Sequence, residues 1–156
     1  MTVRVQAEDF DTGREITTLT AGNASIGAVV TFTGTVRGEA EGVPISSMTL
    51  EHYPGMTETE LERIEQEALV RWPLDATLII HRYGQLAPGD NIVLVITASA
   101  HRAAAFEAAE FLMDYLKSRA PFWKKESPVN ADGSNVTGQW VDASEADTSI
   151  LTRWQR

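Results

Sequence analysis

The chain has 156 residues, 43% of them hydrophobic, and carries a formal net charge of -9. That charge excludes general binding to nucleic acid or to an anionic membrane, because the summed field repels polyanions. There is no cysteine, which excludes disulfides, thiolate zinc sites, a cysteine nucleophile and a persulfide held on this chain, so any sulfur used in chemistry must be imported.

A chain of this length buries enough surface to need no covalent staple. No repeat, low-complexity tract or Pro/Ser linker divides it, so one folding unit spanning 1–156 is expected. The opening MTVRVQAEDF lacks the basic-then-apolar pattern of a secretory signal, and the apolar stretch Ile92 to Ile96 is far too short to cross a bilayer. A cytoplasmic protein is expected.

Val3, Val5 and Ala7 alternate with polar residues and predict a first strand. Thr12 and Glu15 have capping-box spacing for a short helix reaching about Leu19, which Ala21-Gly22-Asn23 ends. In GAVVTFTGTVRG, the set Ala28, Val30, Phe32 and Val36 falls on one face and Val29, Thr31, Thr33 and Thr35 on the other, a period of two that predicts a strand. Arg37 sits where this strand becomes loop. After the polar GEAEGVP loop, Ile45 to Tyr53 reads as another strand with Met48 and Leu50 facing together.

Pro54-Gly55 is a turn, and Thr57 with Glu60 predicts a second capping box before the stripe Leu61, Ile64, Ala68 and Leu69; Pro73 stops that helix. The β-branched runs Thr77 to Tyr83 and Asn91 to Ala98, joined by GQLAPGD, predict an antiparallel hairpin. A long helix follows from about Ala100 to Ser118, with Ser99 as its N-cap and Phe106, Ala109, Met113 and Leu116 as its buried stripe. PVNADGSNVTG reads as an exposed loop, Trp140-Val141 as a returning strand, and Trp154 as an anchor for the tail. Strands and helices mix without regular βαβ alternation, so the fold class is α+β with mainly antiparallel strands and two principal helices.

Two cationic clusters stand out in so acidic a chain. His101 and Arg102 fall at the start of the long helix, where cations oppose the dipole. A bound anion would compensate, since free N–H groups, an imidazole and a guanidinium together make a phosphate site; a solvated arginine and a hydrogen-bonded histidine are the plainer alternative. All three lysines, Lys117, Lys124 and Lys125, lie with Arg119 in one short stretch at the helix's other end. A lysine near a helix C-terminus is an ordinary dipole partner, which accounts for Lys117 but not for the lysines beyond Pro121. Two lysines brought together beside the aromatic pair Phe122 and Trp123 are candidates for a base or nucleophile. Arg37 either clamps an anion or is solvated. His52 and His81 have no metal-ligand partner at sensible spacing and read as packed histidines, and Glu51 beside His52 is weak as a general base. Gly-rich phosphate loops, a serine elbow and HExxH are all missing.

The blocks TFTGTVR (Thr31–Arg37), LEHYPGMTE (Leu50–Glu58), HRYGQLAPGD (His81–Asp90), SAHRAAAFEA (Ser99–Ala108) and FLMDYLKSRAPFWKKE (Phe111–Glu126) resemble, in that order, the large catalytic subunits of molybdopterin synthase. The resemblance spans about Gly27 to Val141. It implies an α/β hammerhead-type fold and a homodimer of large subunits within a heterotetramer. A small ubiquitin-like sulfur-carrier subunit binds at each far end, its Gly-Gly tail ending in a thiocarboxylate. It further implies a sulfurtransferase that converts cyclic pyranopterin monophosphate to the molybdopterin dithiolene for molybdenum cofactor biosynthesis, with no cofactor or metal of its own.

By the same resemblance, Lys117 and Lys124 are catalytic and substrate-binding, and Arg37, His101 and Arg102 bind the substrate's cyclic phosphate. Phe32, Met113 and Glu126 line the pocket. One common cavity holding all these groups is then expected. Some members carry an arginine after the Trp-Val stretch that reaches across the dimer; here Ser144 stands in its place, with Arg153 or Arg156 as candidates to replace it. The competing reading is a non-catalytic module that binds the tail of a ubiquitin-like protein. Tail capture requires backbone pairing and a cationic end-pocket but no second lysine. A phosphohydrolase, lacking a metal-ligand set or nucleophile, ranks last.

Overall fold

The computed structural model describes residues 2–129, 139–141 and 149–155. In chain order its elements are β1 (Val3–Gln6), α1 (Thr12–Thr20), β2 (Ala28–Thr35), β3 (Glu39–Ala40), β4 (Val43–His52), α2 (Met56–Arg71), β5 (Leu74–Arg82), β6 (Gly84–Leu86), β7 (Asn91–Ser99), α3 (Arg102–Ser118), β8 (Phe122–Pro128), β9 (Gln139–Val141) and a 3-10 helix at Ile150–Trp154. The class is α+β, as expected, and among the described residues every strand pairing is antiparallel except that of β1 with β5.

The first sheet runs β1-β5-β7-β2. Alternation along its two central strands sends side chains to opposite layers. Leu78, Ile80, Leu94 and Ile96 pack with Phe10, Ile16 and Leu19 on the α1 side. Ile79, Val93 and Val95 pack with Leu61, Ile64, Ala68, Phe111 and Leu112 on the side of α2 and α3. Both strands are buried on two faces, which explains their nearly unbroken apolar runs. The second sheet runs β3-β4-β8-β9 with β6 also paired to β4, and Val36, Met48, Leu50 and Leu86 form its core. Ile92 packs against both this cluster and the α2/α3 layer. The strand β6 lies inside what reads in sequence as turn, because Gly84–Leu86 bond to Leu50–Met48 before Pro88 is reached.

Helix starts differ from the sequence expectations in an instructive way. Asp11, not Thr12, caps α1, accepting from the Arg14 N–H at 3.1 Å. Gly55, at φ 87°, precedes α2, and the Glu58 carboxylate accepts from its N–H at 2.6 Å. Thr57 is instead buried, its hydroxyl accepting from the Tyr53 N–H at 2.9 Å and donating to the Pro121 carbonyl at 3.0 Å. Ser99 belongs to β7 and donates to the Pro73 carbonyl at 2.8 Å, leaving His101 as the residue before α3.

The buried faces shift as well. Leu69 is 36% exposed, and Glu65 takes a buried place on α2, where Thr2 and Thr77 donate to its carboxyl. Burial raises that carboxyl's pKa while both hydroxyls oppose the rise. On α3 the buried set is Ala105, Ala108, Ala109, Phe111, Leu112, Tyr115 and Leu116, and Phe106 is 60% exposed. Small residues at 105 and 108 let α3 come close to β7, where the Thr97 hydroxyl donates to the Ala105 carbonyl at 2.6 Å.

Trp154 anchors the tail as expected. Its ring meets Trp72 and Phe111 edge-on at 5.7 and 5.4 Å, and its indole N–H donates to Asp114 at 2.6 Å.

Candidate active site

The lysine cluster forms where α3 ends against the second sheet. Lys117 lies in the last turn of α3 and is exposed. The chain then turns at Arg119–Pro121 and enters β8, in which Phe122, Lys124 and Glu126 alternate onto the face shared by their partners His52, Leu50 and Met48 on β4. Lys125 falls on the other face with Trp123. The Lys124 ammonium lies 3.1 Å from the Glu126 carboxylate, an ion pair half open to solvent.

Phe122, which lies between the two lysines in the chain, belongs to an aromatic stack. His81, from β5, lies flat on Phe122 with ring centroids 3.6 Å apart and planes 18° from parallel. His52 sits 6.5 Å from Phe122 and 4.3 Å from Tyr83, with its Nε2 3.7 Å from Glu58. Nδ1 of His81 is 2.8 Å from the Arg82 carbonyl; since a carbonyl only accepts, the proton sits on Nδ1 and Nε2 keeps its lone pair. Burial pushes the His81 imidazole down to about 4, the Lys117 ammonium and His52 add to that, and the Arg82 carbonyl opposes it. His81 thus feels the Lys117 charge and touches Phe122, the residue two before Lys124. The histidines are packed as expected, but they back the lysine cluster. Their signal in the sequence is the alternation of β5, which places Thr77, Ile79 and His81 on the α3 side.

Arg37 lies two residues beyond β2 and is exposed, while Val36 before it is buried. Its backbone is held on both sides: Val36 exchanges hydrogen bonds with Gly89 and Asp90, and the Gly38 carbonyl accepts from the Ile45 N–H at 2.9 Å. Phe32, 40% exposed, shares the face of its partner Val95. Its ring leans over Gly34, where an added Cβ would fall 3.4 Å from Phe32 and 2.8 Å from Val93. Met113 is half-buried against the α2/α3 layer.

His101 and Arg102 form a separate place. Both are exposed at the start of α3, beside an open depression of about 550 Å³ bounded by Gly27, Ala28, Ala103 and Phe106. No side chain caps this end and no acidic residue lies in its first turn, so the free N–H groups, imidazole and guanidinium make the cationic start that favours an anion. Gly27 permits a close backbone approach at the edge of the depression: a Cβ there would fall 2.3 Å from the Ala100 carbonyl oxygen.

One cavity holding every candidate is not what a single chain builds. Arg102 and Lys117 lie at opposite ends of α3, about 22 Å apart at 1.5 Å per residue. Ser144 and Arg156 lie outside the described residues. Arg153 is paired with Glu110 and Asp114 at 2.6 and 2.9 Å. Among the described residues, no group of three or more acidic or histidine side chains is placed to hold a metal ion, and no helix is long and apolar enough to cross a membrane.

The model of the family described as MoaE protein matches residues 5–119. The chain belongs to the MoaE family. It is 58% identical over 154 residues to the molybdopterin synthase catalytic subunit of Mesorhizobium japonicum, covering 99% of this chain and 93% of that protein. Its fold superposes on the MoaE protein of Burkholderia ambifaria with a TM-score of 0.82 at 48% identity, covering 99% and 98% of the two chains. It superposes on molybdopterin synthase from Staphylococcus aureus with a TM-score of 0.79 at 33% identity, covering 91% and 98%. As a MoaE chain it is an enzyme subunit of the sulfurtransferase class in molybdenum cofactor biosynthesis.

Proposed function

We propose that this MoaE chain, folded as one unit over 1–156 and working in the cytoplasm, transfers sulfur to cyclic pyranopterin monophosphate. The sulfur comes from the C-terminal thiocarboxylate of a small ubiquitin-like subunit. The single observation that supports the reading is the His81–Phe122 stack, which joins a histidine that feels the Lys117 charge to the strand that carries Lys124. Two amines placed together suit a reaction in which a thiocarboxylate must be held and its carbonyl polarised while protons move on the substrate. Lys117 takes the thiocarboxylate. Lys124, steered by Glu126, serves the acid-base steps or the opening of the cyclic phosphate. Each transfer leaves sulfur on the pterin and an ordinary carboxylate on the tail, with its oxygen supplied by water. A chain without cysteine fits a scheme in which sulfur arrives on a partner, and relatives named as a catalytic subunit work beside at least one other subunit.

Arg37, His101 and Arg102 bind the cyclic phosphate through charge-assisted hydrogen bonds, and Phe32 and Met113 wall the pocket. The length of α3 puts His101 and Arg102 of the same chain out of reach of one small substrate held at Lys117. The working unit is therefore a homodimer of large subunits in a heterotetramer, and a site at Lys117 draws its phosphate ligands at positions 101 and 102 from the second copy. Lys117→Ala tests the chemistry. The variant is expected to keep the wild-type thermal transition and to lose dithiolene formation by at least about 100-fold when supplied with defined thiocarboxylated small subunit; wild-type turnover would defeat the assignment.

A further inference from the structure

The chain between Lys117 and Lys124 leaves a helix, turns and enters a strand, so its own regular structure does not set how far apart the two amines stand. The Arg119 N–H donates to the Tyr115 carbonyl at 2.7 Å, closing the last helical turn, and the Phe122 N–H donates to the Ala120 carbonyl at 2.8 Å. The remaining anchors come from distant elements, among them the β4 ladder, which pairs His52 with Phe122 and Leu50 with Lys124 within the second sheet. Thr57 of α2 holds the Pro121 carbonyl at 3.0 Å, and His81 of β5 lies flat on Phe122. His81 belongs to the first sheet and Phe122 to the second, so this stack is a joint between the sheets placed two residues before Lys124. His81 is itself held: it is 9% exposed, and its Nδ1 proton is committed to the Arg82 carbonyl.

We infer that His81 is a positioning residue of the sulfur transfer: stacked on Phe122, it locks the strand carrying Lys124 to the sheet beneath Lys117 and so sets the placement of the two amines. The inference rests on the reading of those lysines as the working groups. His81 acts as a flat, neutral plate and need not touch the substrate. Its removal leaves binding groups such as Arg37, His101 and Arg102 in place but lets the start of β8 drift. A drift of an ångström between reacting groups costs up to about 100-fold in rate.

The test is single-turnover sulfur transfer from thiocarboxylated small subunit to cyclic pyranopterin monophosphate by wild type, His81→Ala and His81→Phe. The readouts are the rate at saturating substrate and the concentration giving half that rate. His81→Ala is expected to lose at least about tenfold in saturating rate with half-saturation within about twofold of wild type. His81→Phe, which restores a flat ring without the imidazole, should return to within about threefold of the wild-type rate. A wild-type rate in His81→Ala, or a His81→Phe as slow as His81→Ala, overturns the inference. If His81→Ala does not fold, Phe122→Leu removes the stack from the other strand while keeping apolar volume; the same loss is expected, and a full rate overturns the claim. Failure of wild type to form dithiolene, or full activity in Lys117→Ala, sinks the reading of the lysines and this inference with it. An active wild type and an inactive Lys117→Ala beside an unimpaired His81→Ala sinks the stack alone.

Discussion

His81 shows how a side chain's surroundings turn into a measurable dependence on pH. Its imidazole titrates near 4 in the folded protein because burial disfavours the cation, against about 6.5 in an unfolded chain. Between those values the unfolded state takes up a proton that the native state refuses, so stability rises with pH across the window and is fully present above it. Acidification from pH 6.5 to 4 should therefore remove up to about 3 kcal/mol through this group alone. Urea midpoints of wild type and His81→Phe at pH 7 and pH 4.5 isolate the contribution, since the buried Glu65 and every surface carboxylate are common to both. Wild type is expected to lose more on acidification, and parallel curves for the two proteins would rule the effect out. The sequence shows His81 as a packed histidine but not the ring it lies on: Phe122 reaches it from a strand remote in the chain, and no local spacing encodes that meeting.

Among the elements, α3 shows what periodicity can and cannot settle. Its length and its end near Ser118 follow from the apolar pattern and from Pro121, whereas its buried face is set by β7. The expected stripe Phe106, Ala109, Met113, Leu116 shares Ala109 and Leu116 with the observed buried face, but that face is centred on Ala105, Ala108, Leu112 and Tyr115, about 100° away around the axis, and both satisfy a period of 3.6. Close packing over Thr97 favours alanines beneath the helix and sends Phe106 outward. The helix starts fail for a related reason: Ser99 and Thr57 have capping chemistry, but each spends its hydroxyl on a tertiary partner. The tail behaves more simply. Trp154 closes the outer side of α3 against Trp72 and Phe111, so Trp154→Ala should lower stability by about 2 kcal/mol, read as a shift in urea midpoint with little change in slope. A midpoint within error of wild type would show that the tail adds nothing to the core.

At the scale of the whole molecule, the two cationic clusters lie at opposite ends of one rigid helix, and that separation is legible in the sequence once the helix is drawn. Fifteen positions separate Arg102 from Lys117, too many turns for both to reach one substrate. What the sequence does not carry is the symmetry that could reunite them. If two copies pair so that the start of α3 in one faces the end of α3 in the other, each site uses Lys117 of one chain and Arg102 of its partner. Mixing two inactive variants, Lys117→Ala and Arg102→Ala, then separates the arrangements. A heterodimer of the two places both defects in one site and leaves the other site intact, so a randomised equal mixture should regain about a quarter of wild-type sites in a symmetric dimer. If each site is built from one chain alone, every site in every dimer keeps one defect, and the mixture stays as inactive as its parts. Recovery of dithiolene formation after subunit exchange, absent when either variant is assayed by itself, is the expected result; its absence in mixtures shown by mass to contain heterodimers would return all the phosphate-binding groups to a single chain and contradict the length of α3.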